Sequence, residues 1–322
     1  MGQYILRRLL LIPILLLGIT AIDFTFINLA PGDPIMAMLD PAEMRHMTDE
    51  DIERRRAALG LDQPIPIRYI LWLKEVLTGN LGHSYIKAQP VARLMIDGIK
   101  NTITLMALSL LFTTIVGVAL GIISALKPYS WLDYLLTTLS FSGVAMPSFF
   151  FALILIFVGA LWLGWFPTSG LITPGAPPSL TDRLMHMVLP LIALSIGGTA
   201  SLLRYTRSSM LEVLHEEYIT TARAKGLSTT LIHIRHAFKN AALPIITILG
   251  LQIPSLFGGA VIIETIFSIP GIGSTLVEAT GNSDYPVMMG GILLSGITVL
   301  LSSLLADVAY AFADPRIGFG GE

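Results

Sequence analysis

The stretch Glu216–Pro244 reads EEYITTARAKGLSTTLIHIRHAFKNAALP and lies between two long, mostly apolar segments of the chain. Its residues are largely charged or small, which is unusual in a sequence otherwise rich in large aliphatic side chains. A polar segment between two apolar runs of membrane-spanning length predicts a loop that joins two transmembrane helices. This loop decides the fold class, because it separates segments that only a bilayer can accommodate.

Two short helices are predicted inside this loop. Residues from Glu217 to Lys225 favour helix, and Gly226 is suited to end it. Ser228 can cap a second helix, which we expect to continue until Pro244 opens the next apolar span. The apolar stripe of this second helix would consist of Leu231, Ile234 and Phe238.

The composition agrees with a membrane protein. Of 322 residues, 53% are hydrophobic and only 13% are charged, and the mean hydropathy is +0.73. The net charge of −2, without a dense cluster of Lys or Arg, excludes a nucleic-acid-binding protein. The absence of cysteine from the sequence excludes disulfides, thiolate nucleophiles and cysteine-based zinc sites.

Hydropathy predicts an all-α membrane protein with six spans, since about 20 apolar residues cross the hydrocarbon of a bilayer. The spans are Leu9–Ala30, Asn101–Leu126, Leu135–Leu163, Met187–Leu203, Leu243–Phe267 and Val287–Ala311. The first is expected to stay as an anchor, because its apolar run is too long for a secretory signal and lacks an A-x-A cleavage pattern. The segment Arg204–Ala242 holds six Lys and Arg, whereas Gly164–His186 holds only Arg183. The positive-inside rule therefore places the amino terminus and Arg204–Ala242 in the cytoplasm.

The segment 31–100 is predicted to form a small helical subdomain on the outer side. Thr48 and Asp51 form a capping box, Ile52 and Leu59 share one helix face, and Gly60 ends that helix. A second helix is expected after Pro66. Its apolar stripe would consist of Ile70, Leu73 and Leu77.

The residue pattern leaves two functions open for the first helix of the loop. Thr220, Thr221, Ala222 and Ala224 are small enough for another protein to approach the backbone, and Arg223 and Lys225 can make ionic contacts. The same pattern also suits a basic amphipathic hairpin that rests on anionic lipid headgroups.

No catalytic motif is found in the sequence. The phosphate-binding pattern G-x-x-x-x-G-K-[ST] is absent, so the sequence contains no motif of this kind for binding ATP. His215-Glu216 would begin the zinc motif H-E-x-x-H, but Ile219 stands where the second histidine is needed. His233 and His236 have metal-ligand spacing but no acidic ligand nearby in sequence, so a surface or interface role is favoured.

Three acidic residues within predicted spans need a protein environment, namely Asp23, Glu264 and Asp307. For Asp23 and Asp307 we favour structural pairing near the span ends, with Asn28 as one candidate partner. Glu264 precedes Ser268-Ile269-Pro270-Gly271-Ile272-Gly273, where proline and two glycines interrupt the helix. We interpret Glu264, Pro270, Gly271 and Gly273 as candidates for a gate near the outer mouth, with a plain turn as the alternative.

The third span contains a second candidate pathway region. Pro147 is expected to kink it, because proline removes a backbone hydrogen bond. Phe149, Phe150 and Phe151 follow and could form an apolar constriction, although packing against neighbouring helices is the more common role of such a cluster.

Several patches of the sequence together resemble one family. They are Tyr4-Ile5-Leu6-Arg7-Arg8-Leu9-Leu10, Ala30-Pro31-Gly32-Asp33-Pro34, Leu59-Gly60-Leu61-Asp62-Gln63-Pro64, Gly79-Asn80-Leu81-Gly82, Ser209-Met210-Leu211-Glu212-Val213-Leu214, Thr221-Ala222-Arg223-Ala224-Lys225-Gly226-Leu227-Ser228, Glu264-Thr265-Ile266-Phe267-Ser268-Ile269-Pro270-Gly271-Ile272-Gly273, Asp284-Tyr285-Pro286-Val287 and Asp314-Pro315-Arg316-Ile317. In this order they resemble the dipeptide, oligopeptide and nickel branch of ABC importer permeases, nearly from end to end.

The resemblance implies a type I ABC importer permease fold and a function in uptake by alternating access. It implies that the loop forms a coupling helix, comprising Tyr218, Thr220, Thr221, Ala222, Arg223, Ala224, Lys225 and Gly226, which inserts into a groove of an ATPase subunit. The wider family has an acid followed by two alanines where this chain has Thr220-Thr221-Ala222, so Arg223 and Lys225 are read as local substitutes for the charged contact.

The same resemblance implies the partners. They are a second, similar permease in a heterodimer, two ABC ATPases that bind ATP and magnesium, and a solute-binding protein outside a bacterial or archaeal inner membrane. Peptides are the leading cargo, and nickel chelates, glutathione and oligosaccharides are compatible with the family. A membrane scaffold or signalling subunit is the alternative of another class. The predicted regions are an anchor 1–30, an outer subdomain 31–100, a permease core 101–311 with a coupling loop 204–242, and a tail 312–322.

Overall fold

A computed structural model describes residues 2–29, 35, 47–58, 60–177 and 179–313. These residues form helices and no β-strand. The α-helices are α1 (Gly2–Leu29), α2 (Asp49–Ala58), α3 (Ile65–Leu77), α4 (Val91–Leu126), α5 (Trp131–Ala145), α6 (Ser148–Leu155), α7 (Leu180–Leu214), α8 (Glu217–Ala224), α9 (Thr229–Leu231), α10 (Lys239–Ile266), α11 (Ile272–Gly281) and α12 (Tyr285–Ala313). Two π-helical segments, Ile156–Trp162 and Ile232–Phe238, continue α6 and α9.

Five of these helices are long and apolar enough to cross a membrane. They contain the spans Ile5–Leu29, Val91–Leu126, Leu180–Leu214, Pro244–Ile266 and Tyr285–Val308. Five of the six predicted spans are thus found as continuous helices. The all-α prediction is confirmed for the described residues, as expected where backbone groups in lipid must be hydrogen-bonded within a helix.

The predicted third span, Leu135–Leu163, is not one helix. Two helical pieces, Trp131–Ala145 and Ser148–Trp162, meet at an angle of 110°. Met146 and Pro147 are both extended, with ψ of 126° and 135°. Proline disfavours helical geometry at the residue before it, so the expected kink becomes a complete break.

Several helices extend beyond the predicted spans. α4 begins at Val91 instead of Asn101, and α7 covers Leu180–Leu214 where Met187–Leu203 was predicted. Hydropathy detects only the apolar part of a helix, whereas backbone hydrogen bonding continues through polar residues. The predicted coupling loop 204–242 is therefore shorter than expected, because its first eleven residues belong to α7.

The chain forms two compact units. The first comprises Met1–Ile5, Thr102–Ile269 and Leu301–Glu322. In it, α7 packs against both α5 and α10. α4 also approaches α7 closely, because a Cβ built on Gly121 would lie 2.5 Å from the Cβ of Thr206. This contact leaves no room for a side chain at position 121.

The second unit comprises Leu6–Asn101 and Pro270–Leu300. The capping box of α2 is confirmed, since the backbone N–H of Asp51 donates to Thr48 Oγ1 and the N–H of Thr48 donates to a carboxylate oxygen of Asp51. Gly60 follows α2 with a φ of 66°, as expected for a helix stop. Leu59, which was predicted to share a helix face with Ile52, lies outside the described residues. The motifs at 30–34 and 314–317 also lie outside them.

The second predicted helix of this segment is present as α3, but only Leu73 of its predicted stripe is half-buried. Ile70 and Leu77 are exposed, and the covered face instead carries Ile65, Tyr69 and Trp72. These side chains pack on a cluster formed by Phe24, Ile27 and Met289 of α1 and α12. Aromatic side chains bury more apolar area than aliphatic ones. The face of α3 that carries Tyr69 and Trp72 is therefore the packed face.

Candidate functional site

The first helix predicted in the loop is present as α8. Glu216 is extended, α8 runs from Glu217 to Ala224, and Gly226 follows with a φ of 75°. A residue with a Cβ is strained in this left-handed conformation, which explains why glycine ends the helix. The predicted start and end of this helix are therefore confirmed.

α8 is anchored to the rest of its unit by two of its side chains. Ile219 and Ala222 are buried, with exposures of 0% and 6%. They belong to a cluster of seven residues, which we call the anchor cluster: Ala125, Met210, Ile219, Ala222, Ile232, Ala237 and Ala241. These residues come from the ends of α4 and α7, from α8, and from the segment that leads into α10. α8 is thus packed on three of the long helices.

The position of Ala222 corrects one expectation. We predicted that its small side chain faces outward and admits a partner, but it faces the anchor cluster. Its small size serves the close packing of α8 on this chain. Ala222 and Ile219 are three residues apart, which is the spacing of one helix face.

The second half of the hairpin differs from the prediction. The Ser228 cap is confirmed, because Ser228 Oγ accepts from the N–H of Leu231. The predicted stripe is only partly correct. Phe238 packs against the anchor cluster, but Leu231 and Ile234 are exposed, and Ile232 and Ala237 are buried instead. The buried pair is five residues apart, which matches the i to i+5 pattern of the π-helix Ile232–Phe238.

The apolar span begins at Pro244 as predicted, but the helix does not begin there. Pro244 lies inside α10, which begins at Lys239 and continues the π-helix without a break. The hairpin is therefore connected to α10 by unbroken helix.

All of the other residues predicted for the coupling helix are exposed. Tyr218, Thr220, Thr221, Arg223, Ala224, Lys225 and Gly226 all lie on the surface of this unit. The hydroxyl of Tyr218 accepts from Asn240 Nδ2 at 3.0 Å, and Thr221 Oγ1 donates to the carbonyl of Glu217. Burial, and secondarily the charge of Arg223, lower the pKa of His233. The exposed face is therefore polar and carries the charges of Arg223 and Lys225.

A buried ion pair beside this site was missed by the sequence analysis. Arg207 of α7 donates from Nε and Nη2 to the two carboxylate oxygens of Asp133, at 2.7 and 2.8 Å. Asp133 is 2% exposed and also accepts from Ser124 Oγ and from the N–H of Tyr129. This pair connects the start of α5 to the end of α7, which is predicted to lie in the cytoplasm. The only sequence signal was Asp133 three residues after the helix-capping Ser130.

The candidate gate residue Glu264 is completely buried. Its carboxylate accepts from Thr102 Oγ1 at 2.6 Å, and Thr102 is 1% exposed. Glu264 therefore connects α10 to α4. Of the other membrane acids, Asp23 is half-buried, and the side-chain amide of Asn28 donates to the carbonyl of Phe24.

The connector after α10 is tightly packed. In the first unit, Phe267 and Ile269 are buried, and the N–H of Gly170 donates to the carbonyl of Phe267 at 2.7 Å. In the second unit, Asn101 Nδ2 donates to the carbonyl of Pro270 at 2.9 Å. There Gly271 and Gly273 are buried, whereas Pro270 is exposed.

A cavity of about 180 Å³ opens at the break between α5 and α6. Its polar lining includes Ser148, Gln252 and Ser255, and Gln252 Nε2 donates to the carbonyl of Gly198 at 3.3 Å. The lining does not include Pro147 or Phe150, and Phe150 is half exposed. Irregular backbone at membrane depth is tolerated where it borders such a cavity.

Comparison with known proteins decides the family. The model of the binding-protein-dependent transport system inner membrane component matches residues 117–319, and the model of the N-terminal part of such membrane components matches residues 1–106. The chain belongs to this permease family. The resemblance drawn from the motifs is thereby confirmed, and the permease is a multi-pass protein of the inner membrane.

Relatives match the permease along its whole length. It is 42% identical over 320 residues to the oligopeptide transport system permease protein AppB of Bacillus subtilis (strain 168), covering 99% of this chain and 100% of that protein. It is 37% identical over 338 residues to the dipeptide transport system permease protein DppB of Escherichia coli (strain K12), covering 98% and 99%.

A solved structure shows the same fold. The permease matches a chain of the inward-facing MetNI methionine ABC transporter with a TM-score of 0.55 and 16% identity, covering 69% of this permease and 96% of that chain. The permease therefore has the fold of a type I ABC importer permease.

Proposed function

We propose that this permease forms, together with a second similar permease, the pathway for peptides delivered by a solute-binding protein. The printed functions of the relatives, oligopeptide and dipeptide transport, support peptides as the cargo. ATP and magnesium are bound by separate ATPase subunits, which dock on α8 and drive transport.

The observation that carries this proposal is the two-sided character of α8. One side, with Ile219 and Ala222, is packed into the anchor cluster. The other side exposes Thr220, Arg223 and Lys225. A helix of eight residues is unstable alone in water, so its rigidity comes from this packing. It is therefore suited to receive force from a partner and to pass it on.

The anchor cluster supplies the route for that force. Ala125 lies in the last turn of α4, Met210 lies near the end of α7, and Ala241 lies at the start of α10. Packed interiors resist deformation, so a displacement of α8 moves these three helix ends together. We infer that ATP-driven movement of the ATPases rocks the helices between inward-open and outward-open states.

We propose that the amino terminus and α8 both face the cytoplasm. This orientation is supported by Arg7 and Arg8 near the start of α1 and by Arg223, Arg235 and Lys239 in the loop between α7 and α10. The gate is proposed near the opposite mouth, at Glu264 and the connector Pro270–Gly273. The buried hydrogen bond between Glu264 and Thr102 would hold α10 against α4 in the state described here.

The proposal is tested with the double variant Arg223→Glu, Lys225→Glu in the assembled transporter in liposomes. In the proposed complex, Arg223 and Lys225 face acidic groups of the ATPase, and placing glutamate against such groups costs several kcal/mol. We therefore expect the stimulation of ATP hydrolysis by cargo-loaded binding protein to fall by about tenfold or more. Arg235→Glu is the matched control, because Arg235 is also an exposed basic residue of the hairpin but lies outside α8.

The control should keep at least most of the stimulation. Equal stimulation in the double variant and the wild type, at equal amounts of assembled complex, would contradict docking through α8. Loss in both variants would show only that the hairpin tolerates no acidic charge, and would also contradict a contact specific to α8.

A further inference from the structure

α3 exposes a broad apolar face. Ile67, Ile70, Leu71 and Leu77 are 49%, 64%, 48% and 80% exposed. Their spacing places them on one side of the helix. Among the charged residues of α3, Lys74 shares this side, in the last turn of the helix. The apolar stem of a lysine side chain can lie along an apolar surface while its ammonium group extends into a polar environment.

The opposite face of α3 is fixed against α1, the first span. The hydroxyl of Tyr69 lies 3.0 Å from the carbonyl oxygen of Leu17 and 3.0 Å from Thr20 Oγ1. The rings of Tyr69 and Trp72 also contact Phe24, with centroids 5.5 and 6.2 Å apart. α3 therefore lies along the half of α1 that ends at Leu29.

These contacts give the depth of α3 in the bilayer. With a rise of 1.5 Å per residue, Leu17 and Thr20 lie roughly 18 and 14 Å below the end of α1 at Leu29. One leaflet contributes about 15 Å of hydrocarbon. α12 gives the same result, because Met289 and Ile292, which contact this cluster, lie roughly 6 and 10 Å inside its start at Tyr285.

The side of α1 that points away from α3 has the exposure expected of a lipid-facing surface. In this half of α1, Ile22 and Phe26 are 58% and 68% exposed, as expected for a span that contacts acyl chains. An apolar patch of this extent in water would be a costly exposure. Polar residues, such as Gln63 and Asn80, stand before and after α3 in the sequence.

We propose that α3 is a lipid-binding helix that is partly embedded in one leaflet of the membrane. Ile67, Ile70, Leu71 and Leu77 contact the acyl chains of the leaflet in which α1 ends, and Lys74 reaches the headgroups. The segment 31–100, predicted to be a subdomain outside the membrane, thus includes a helix that is partly embedded. The inference requires only that α1 crosses a bilayer, so it goes beyond the transport proposal.

The absence of cysteine from the sequence makes a direct test simple. Single variants Ile70→Cys and Leu71→Cys carry a nitroxide spin label in the complete transporter, reconstituted in phosphatidylethanolamine and phosphatidylglycerol liposomes. Collision rates with oxygen, which concentrates in lipid, and with a water-soluble nickel chelate are measured for each label. Ile22→Cys is the lipid-facing control, and Glu50→Cys on the charged helix α2 is the water-facing control.

We expect the ratio of oxygen to nickel collisions at positions 70 and 71 to match that at position 22 and to exceed that at position 50 several-fold. A ratio equal to that at position 50 would show that the face lies in water. Low collision rates with both reagents would show that a partner protein covers it. Either result would overturn the proposal, and neither depends on transport activity.

Discussion

At the scale of single residues, Ala222 and Ala224 provide a matched pair. Both are alanines of α8, but Ala222 is buried in the anchor cluster and Ala224 is exposed. Ala222→Leu inserts three carbons into a packed site and should destabilise the permease by about 1–3 kcal/mol. Ala224→Leu should leave stability nearly unchanged. The midpoint of thermal unfolding of the detergent-purified permease checks both.

The same pair separates packing from docking. In the assembled transporter, Ala224→Leu should reduce the stimulation of ATP hydrolysis, because its side chain adds bulk to the face proposed for the partner. If Ala222→Leu is as stable as the wild type, the burial of this side chain is refuted. The sequence could not assign the two alanines, since a two-turn helix has too few residues to define a face before its neighbours are known.

At the scale of elements, the Asp133–Arg207 pair connects α5 with α7. Asp133→Asn leaves the guanidinium of Arg207 without its carboxylate. Breaking a fully buried pair costs about 3–5 kcal/mol, and because the Arg207 side chain is 25% exposed the loss here should lie below that range. We expect a corresponding loss in the stability of the permease against denaturant. The double variant Asp133→Asn, Arg207→Met should recover much of that loss, because no buried charge remains unpaired.

Arg204→Met is the control for this cycle. Arg204 is three residues before Arg207 on α7, is exposed, and lies over the ring of Phe141 at 4.6 Å. An exposed cation–π contact contributes only about 0.5–1 kcal/mol, so a small change is expected. An equal loss of stability from Arg204→Met and Asp133→Asn would contradict a specific stabilising role for the Asp133–Arg207 pair.

The elements themselves were predicted unevenly. The helix stop at Gly226 and the capping box at Thr48 follow local rules, and both are confirmed. The π-helix Ile232–Phe238 has no comparable sequence signal, so the prediction placed Ile234 on the wrong face. The break at Pro147 was anticipated as a kink, but its angle depends on how α5 and α6 pack.

At the scale of the whole molecule, the broken pair α5–α6 decides the topology. If the pair crosses the membrane once, the described chain makes six crossings, and α8 lies on the side of the amino terminus. If the pair returns to the side where it began, α8 lies on the opposite side. The positive-inside distribution favours a crossing.

Single cysteines before and after the pair distinguish these topologies. Lys127→Cys and Ala176→Cys, both at exposed positions, should react with a membrane-impermeant maleimide from opposite sides of sealed vesicles. Thr230→Cys in the hairpin should react from the same side as Lys127→Cys. Labelling of positions 127 and 176 from one side would place α8 away from the amino terminus and would refute its docking to cytoplasmic ATPases.

The sequence by itself determined the membrane class, the helical fold, most of the spans and the family. These follow from composition, hydropathy and local motifs, because lipid requires each spanning backbone to be hydrogen-bonded within its own helix. Only the tertiary structure decided which way Ala222 faces, that Asp133 pairs with Arg207, and that Tyr69 reaches Leu17. Each of these depends on contacts between residues far apart in the chain, and no local pattern encodes which distant side chain will be the neighbour.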